Sequence, residues 1–315
     1  MTISDCAAWL GLALALCALL LALPRAQART IEEAVEVTVT VKNMYGKEST
    51  QPIKVTVFRD TARKRSPFLV LNHGRAVDPV DFVKLGRVKY SANSKYFVAK
   101  GFAVFVPTRV GYGVSGGDDV EYSGACQTKN YPPAYEAAAQ QTLKVIEYAR
   151  GLPYVDPQRG IVVGQSFGGT TSIAVAAKAA PGVIAAVNFA GGGGGNPDTR
   201  PQDPCRADLI ERLFEGYGGA ARLPTLWLYS ENDKFFGIVK PREWFDAFAK
   251  RGGVGEFVRL PPFGENGHNS FTGNPKAWRP KFEEFLRRQG FSVQGGDAAE
   301  TAGPQDPGEG AEEGK

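Results

Sequence analysis

Gly164-Gln165-Ser166-Phe167-Gly168-Gly169 is the stretch whose reading decides the fold. It directly follows the apolar run Ile161-Val-Val163 and opens a helical pattern that runs from Phe167 to Ala179. A serine set between a strand and a helix takes a strained backbone so that its hydroxyl stands clear of the sheet. Neighbouring chain then crowds the positions two before and two after it, and Gly164 and Gly168 meet that demand. The helix start also turns unpaired N–H groups and a positive dipole end toward the same point, where an oxyanion would form. The Phe167 N–H is therefore the expected first oxyanion donor. Alone, G-x-S-x-G is a weak signal in a chain with 38 glycines. A tight turn packing helix on sheet would show the same letters, so the flanking elements carry the weight.

Outward from this turn the chain alternates between two patterns. Val35 to Val41 and Ile53 to Phe58 show the period of two expected of half-buried strands, with turn residues Asn43 to Gly46 between them. Phe68 to Leu71, Phe102 to Val106, Ile161 to Val163, Val183 to Val187 and Thr225 to Tyr229 are short, continuous apolar runs, as in strands covered on both faces. Helical patterns lie between and after them: Ala92 to Ala99, Ala134 to Arg150, Phe167 to Ala179, Arg242 to Lys250 and Pro275 to Arg288. Strands alternating with helices imply crossover units and a parallel sheet. Residues 190 to 222 break the rhythm with five consecutive glycines, several prolines and one helical patch near Leu209 to Tyr217. This stretch is too short for a large cap domain and reads as a loop that shapes a pocket.

A serine nucleophile needs a base, and the sequence holds only two histidines. His268 lies in the turn-rich Gly264-Glu-Asn-Gly-His268-Asn-Ser270, late in the chain, before the last helix. His73 ends the Phe68 strand in Leu71-Asn-His73-Gly74-Arg75. The late loop suits a base. The His73-Gly74 loop suits a second oxyanion donor, assigned to the Arg75 backbone N–H, with His73 bracing the loop through hydrogen bonds. An acid must fix the imidazole tautomer. Asp233, in Tyr229-Ser-Glu-Asn-Asp233 after the Thr225 strand, is the expected one, with Glu231 the alternative. The order Ser166, Asp233, His268 is the one an α/β-hydrolase sheet imposes.

The chain thus resembles the α/β-hydrolases, and among them the dienelactone-hydrolase-like group of secreted bacterial proteins. The likeness spans Ile53 to Gln289. It rests on His73-Gly74, Arg109-Val-Gly-Tyr-Gly113 with Ser115-Gly116, Leu152-Pro-Tyr-Val-Asp156, Gly164 to Gly169, Asn232-Asp233 and Gly267-His268. It implies a mostly parallel central sheet with helices on both faces, antiparallel strands at the N-terminus and no large cap domain. Dienelactone hydrolases proper use a cysteine nucleophile, whereas the elbow here holds Ser166. That departure points away from the namesake reaction and toward carboxylic-ester hydrolysis through an acyl-enzyme. A peptidase of the prolyl-oligopeptidase-like kind, an acyltransferase, and a non-catalytic binding protein on the same fold are the competing readings. Phe167, Phe235, Phe236, Trp227 and Trp244 are candidates for an apolar pocket, and Arg75 or Arg109 for binding a substrate carboxylate at its mouth.

Bulk composition bounds the partners. The formal net charge is +4 over 315 residues. The acidic, Gly-rich segment 290 to 315 carries −5 and is expected to be disordered. Residues 1 to 28 are neutral, so the body between, 29 to 289, carries about +9. That excess is too small to imply nucleic acid. Trp9 to Leu23 is an apolar run followed by Pro24 and Ala26-Gln-Ala28, the form of a secretory signal cut after Ala28, which would leave no membrane span. In an exported chain only Cys126 and Cys205 remain, a natural disulfide, though two separate buried thiols would fit the same letters. No metal-ligand spacing is present and no cofactor is expected. The expected substrate is a small ester or a short peptide; oligomeric state has no signature here.

Overall fold

The computed structural model describes residues 30–293. The leader at 1 to 28, and the tail beyond residue 293, lie outside the described residues.

β1 (Thr30–Lys42) and β2 (Glu48–Asp60) form an antiparallel hairpin with Val37 opposite Ile53. Its turn is set by Asn43, whose Oδ1 accepts from the Tyr45 and Lys47 amides at 2.9 and 3.1 Å. Alternation does what the pattern demands. Val37, Val39 and Val41 are buried while Glu36, Thr38 and Thr40 stay on the wet side.

β3 (Ser66–Asn72), β4 (Ala103–Thr108), β5 (Val155–Gln165), β6 (Val183–Phe189), β7 (Thr225–Ser230) and β8 (Gly255–Leu260) complete an eight-stranded sheet in the order β1-β2-β4-β3-β5-β6-β7-β8. Only β2 runs against its neighbours; from β4 to β8 every pairing is parallel. This is the α/β-hydrolase fold. The helices are α1 (Val80–Lys84), α2 (Ser91–Ala99), α3 (Tyr131–Arg150), α4 (Phe167–Ala177), α5 (Ala207–Ala220), α6 (Val239–Lys250), α7 (Ser270–Gly273) and α8 (Pro275–Arg288).

The continuous apolar strands are explained by residue parity. Phe68, Val70, Phe105 and Val162 join the core under α3, α4 and α6, with Ala134, Ile173 and Trp244. Leu69, Leu71, Val104, Ile161 and Val163 join a second core with Phe97 of α2 and Trp278 and Phe282 of α8. Both faces of these central strands are therefore dry. A full side chain buried in this way stabilises by about 1.5–3 kcal/mol.

Two segments differ from the sequence expectation. The helical patch at Leu209 to Tyr217 is a 14-residue helix, α5, whose Ile210, Leu213 and Phe214 pack on the sheet helices. Its apolar spacing was masked by Gly216, Gly218 and Gly219, which lower helix propensity. At the other end the chain still packs past Gly290, because Phe291 lies against Phe102 at 5.1 Å between ring centres and is 7% exposed. No described helix is long and apolar enough to cross a membrane.

Candidate active site

Ser166 sits at the end of β5, immediately before α4, at φ 54° and ψ −125°. A non-glycine residue with positive φ is uncommon, and the surroundings hold this one in place. A Cβ at Gly164 would collide with the Gly168 carbonyl, and one at Gly168 would collide with the Asn72 and His73 carbonyls. The two glycines let β5, α4 and the end of β3 approach within backbone contact. The Ser166 N–H donates to Phe189 O at 2.8 Å, and Ser166 O accepts from the Gly169 N–H at 2.8 Å. As the first residue of α4, Phe167 presents an N–H for which the helix has no carbonyl.

The histidine and acid arrive from the loops after β8 and β7. His268 Nε2 lies 2.9 Å from Ser166 Oγ, and His268 Nδ1 lies 2.8 Å from Asp233 Oδ2. All three residues are buried. Asp233 spends its other oxygen on its own loop: Oδ1 accepts from the Phe235 and Phe236 amides at 2.7 and 3.0 Å. With Oδ1 so fixed, Oδ2 is left aimed at the imidazole. Phe235 stacks on the His268 ring at 4.1 Å, and Phe236 meets it edge-on at 5.3 Å.

Two asparagines join these loops. Asn266 Oδ1 accepts from the His268 and Lys234 amides at 3.1 and 2.9 Å. Asn232 accepts from the Phe263 N–H at 2.9 Å and donates to Gly264 O at 3.0 Å. Glu231, the alternative acid, instead pairs with Arg259 at 2.8 Å, away from the imidazole.

The β3 end forms the opposite wall. A Cβ at Gly74 would stand 3.2 Å from Ser166 Cβ, so a bare backbone is needed there. His73 Nδ1–H donates to Gly74 O at 2.6 Å, while Nε2 accepts from the Arg109 N–H at 3.2 Å. Burial, and then the Arg109 charge, hold this imidazole well below the usual histidine range. It is neutral and braces its loop.

Behind it lies an ion pair that sequence reasoning missed. Arg109 is fully buried, bonds Glu121 through Nε at 2.6 Å and Nη2 at 3.2 Å, and donates Nη1 to His73 O at 2.9 Å. Tyr112 donates to Glu121 at 2.8 Å and accepts from Arg75 at 2.8 Å. Arg75 also grips Asp119 with both Nη atoms. Both arginines considered as carboxylate binders at the mouth thus already hold protein carboxylates, Arg109 buried on Glu121 and Arg75, half-buried at the cavity wall, on Asp119. Nothing in the sequence around Glu121 distinguishes it from a solvated acid beside Asp118 and Asp119.

A family model described as the alpha/beta hydrolase family matches residues 69–300. The chain belongs to that family.

Solved structures place this alpha/beta hydrolase in wide company. A dienelactone hydrolase-like promiscuous phosphotriesterase from metagenomic libraries superposes with a TM-score of 0.52 at 14% identity, covering 81% of this chain and 98% of that one. Acetyl xylan esterase 1 from Thermoanaerobacterium sp. JW/SL YS485 gives 0.54 at 15%, covering 84% and 89%. The uncomplexed acylaminoacyl peptidase of Pyrococcus horikoshii gives 0.56 at 13%, covering 86% of this chain but 43% of its own. At such identities the likeness shows the fold alone. No curated protein matches the sequence significantly.

In this alpha/beta hydrolase Ser166 opens into a cavity of about 320 Å³ lined by Phe167, Phe235, Phe236, Tyr131 and the backbone of Gly192 to Gly195. Trp227 and Trp244 do not line it; they are packed with Phe214 in the core. The glycine run has a steric cause, since a Cβ at Gly192 would press on the Phe236 ring and one at Gly193 on Tyr135. Cys126 and Cys205 are joined in a disulfide that forms part of the same wall. Among the described residues no group of three or more His, Cys, Asp or Glu is arranged to hold a metal.

Proposed function

We propose that this alpha/beta hydrolase cleaves a carboxylic ester through an acyl-enzyme on Ser166. The observation that carries the reading is the chain of two buried hydrogen bonds, Ser166 Oγ to His268 Nε2 at 2.9 Å and His268 Nδ1 to Asp233 Oδ2 at 2.8 Å. In this mechanism Ser166 Oγ bonds to the ester carbonyl carbon while its proton passes to His268 Nε2. The carbonyl oxygen becomes an oxyanion that accepts from the Phe167 and Arg75 amides. On collapse, the ester C–O bond breaks and the leaving alkoxide takes the proton from Nε2. Water then attacks the acyl carbon and gives a proton to His268; the acyl–Oγ bond breaks, Ser166 Oγ takes that proton back from Nε2, and the acid leaves. Asp233 keeps Nδ1 protonated throughout and stabilises the imidazolium.

The test is direct. Ser166→Ala should lower kcat on a short-chain aryl ester by about three to six orders of magnitude, because the three side chains act as a unit. A variant that kept its rate would end the assignment. Fluorophosphonate should label the wild-type protein at Ser166, which separates an enzyme from a binding protein on this fold.

A peptide-cleaving reading draws on the similarity to acylaminoacyl peptidases, of whose chain this one spans less than half. An ester and an anilide of one acyl group separate the two readings by their relative kcat/KM. Export is part of the proposal: the disulfide fits an oxidising compartment, as does the leader composition.

A further inference from the structure

The cavity that receives the Ser166 hydroxyl is lined by three cationic residues, Arg75, Lys129 and Arg200, and by no aspartate or glutamate. Arg75 is neutralised by Asp119. The other two bond only uncharged partners. Lys129 Nζ donates to Gly124 O at 2.6 Å and to Ser123 Oγ at 3.3 Å, both uncharged acceptors. Arg200 donates to Gly194 O at 3.3 Å and lies beside the Cys126–Cys205 disulfide. Among the described residues neither cation meets a carboxylate. Both are half-buried, where an uncompensated charge is expensive unless something arrives to pair with it.

We propose that Lys129 and Arg200 form a subsite for an anionic group on the substrate, so that the ester cleaved at Ser166 carries a carboxylate or a comparable anion within the span of this cavity. The covalent part rests on the serine-hydrolase reading; the anion subsite does not. Geometry favours the assignment in three ways. The cations line one cavity with the serine hydroxyl, so a single small molecule can reach both. At about 320 Å³ the cavity limits the spacing between the scissile carbonyl and the anion to a short chain or one ring. Its remaining walls carry no charge: they are aromatic rings, glycine backbone, the disulfide, Ala76 and Val77, and the polar but neutral Ser123, Asn196 and Thr199. Electrostatics agree: burial first, and then repulsion from Arg75 and Arg200, lower the Lys129 pKa against a smaller opposing attraction from Asp119, and a bound anion would relieve the net penalty.

The experiment compares 4-nitrophenyl half-esters of succinate, glutarate and adipate with neutral 4-nitrophenyl esters of the same carbon count. For at least one length, wild-type kcat/KM should favour the anionic ester by about tenfold or more, the scale of one charge-assisted hydrogen bond. Lys129→Met and Arg200→Met should each reduce that ratio by about tenfold, while Lys129→Arg should preserve it. A wild-type ratio at or below one for all three lengths, or a ratio unmoved by both methionine variants, overturns the subsite. A second arm does not depend on turnover. Calorimetry on Ser166→Ala should detect the monomethyl esters of these diacids and not the dimethyl esters, with binding weakened in the Ser166→Ala/Lys129→Met double variant. Equal binding of charged and neutral forms overturns the proposal even if Ser166 is the nucleophile. Preserved charge preference in a Ser166→Ala protein that still turns over sinks the serine reading and leaves the subsite standing.

Discussion

Asp233 and His73 illustrate how a single side chain is committed by its hydrogen bonds. Asp233 gives one oxygen to two backbone amides and the other to His268, so its direction is fixed before any substrate binds. Asp233→Asn keeps the shape but favours the wrong imidazole tautomer; kcat should fall by about 10⁴ with little change in folding, measured by burst kinetics beside a thermal melt. His73 is the opposite case, a histidine kept neutral by burial and by Arg109. Its folded pKa lies below 6.5, so the unfolded chain binds the proton more readily. The stability this group contributes is therefore complete above about pH 6.5 and is lost as pH falls below it, by up to about 1.4 kcal/mol per pH unit. Chemical denaturation of wild type and His73→Gln between pH 7.5 and 5 should show a smaller acid loss in the variant. Equal slopes would mean that His73 is not the sensor.

At the scale of elements, the loop after β3 is held by the loop after β4. Arg109 links Glu121 to the His73 carbonyl, and Tyr112 carries the network on to Arg75. Glu121→Gln leaves the Arg109 charge buried without its partner, which should cost about 3–5 kcal/mol of stability by urea titration. If the same network places the Arg75 amide, kcat on an aryl ester should drop while KM stays near its wild-type value. A Glu121→Gln protein of undiminished stability would show that the pair is dispensable. The acid and histidine loops are joined in a different way: the Asn232 side chain bonds the Phe263 and Gly264 backbone of the histidine loop, and Asn266 accepts from the Lys234 amide of the acid loop. Such stitches bring β7 and β8 loop residues 35 positions apart into one hydrogen bond.

For the whole molecule, the disulfide closes the largest covalent loop in the described chain. Cys126 precedes α3 and Cys205 precedes α5, 79 positions apart, and the bond ties both approaches to the cavity wall. In the chain-entropy account a loop of that length restrains the unfolded state by about 4.5 kcal/mol. Reduction, or replacement of both cysteines by serine, should lower the melting temperature by several degrees. Thiol titration of the unfolded, unreduced protein should find no free sulfhydryl at these two positions. The two cores on either side of the sheet supply the rest of the framework, and they explain why the strands read as unbroken apolar runs.

The sequence by itself determined the sheet, its crossover helices and the corner at Ser166, because those features are written in local period and local steric need. Apolar parity marks a strand buried on both faces, and glycine at 164 and 168 marks a turn where no Cβ fits. Chain order also marked Asp233 and His268, since each follows a recognisable strand. Only the tertiary structure decided which charges are spent and which remain. Glu121 sits among acids that look solvated, yet it is buried against Arg109. Arg75 and Arg109 look available, yet both are paired. Lys129 and Arg200 look unremarkable, yet they share a cavity that no acidic side chain lines. Coulombic partnership acts through space between residues distant in the chain, and it leaves no period or spacing in the sequence that records it.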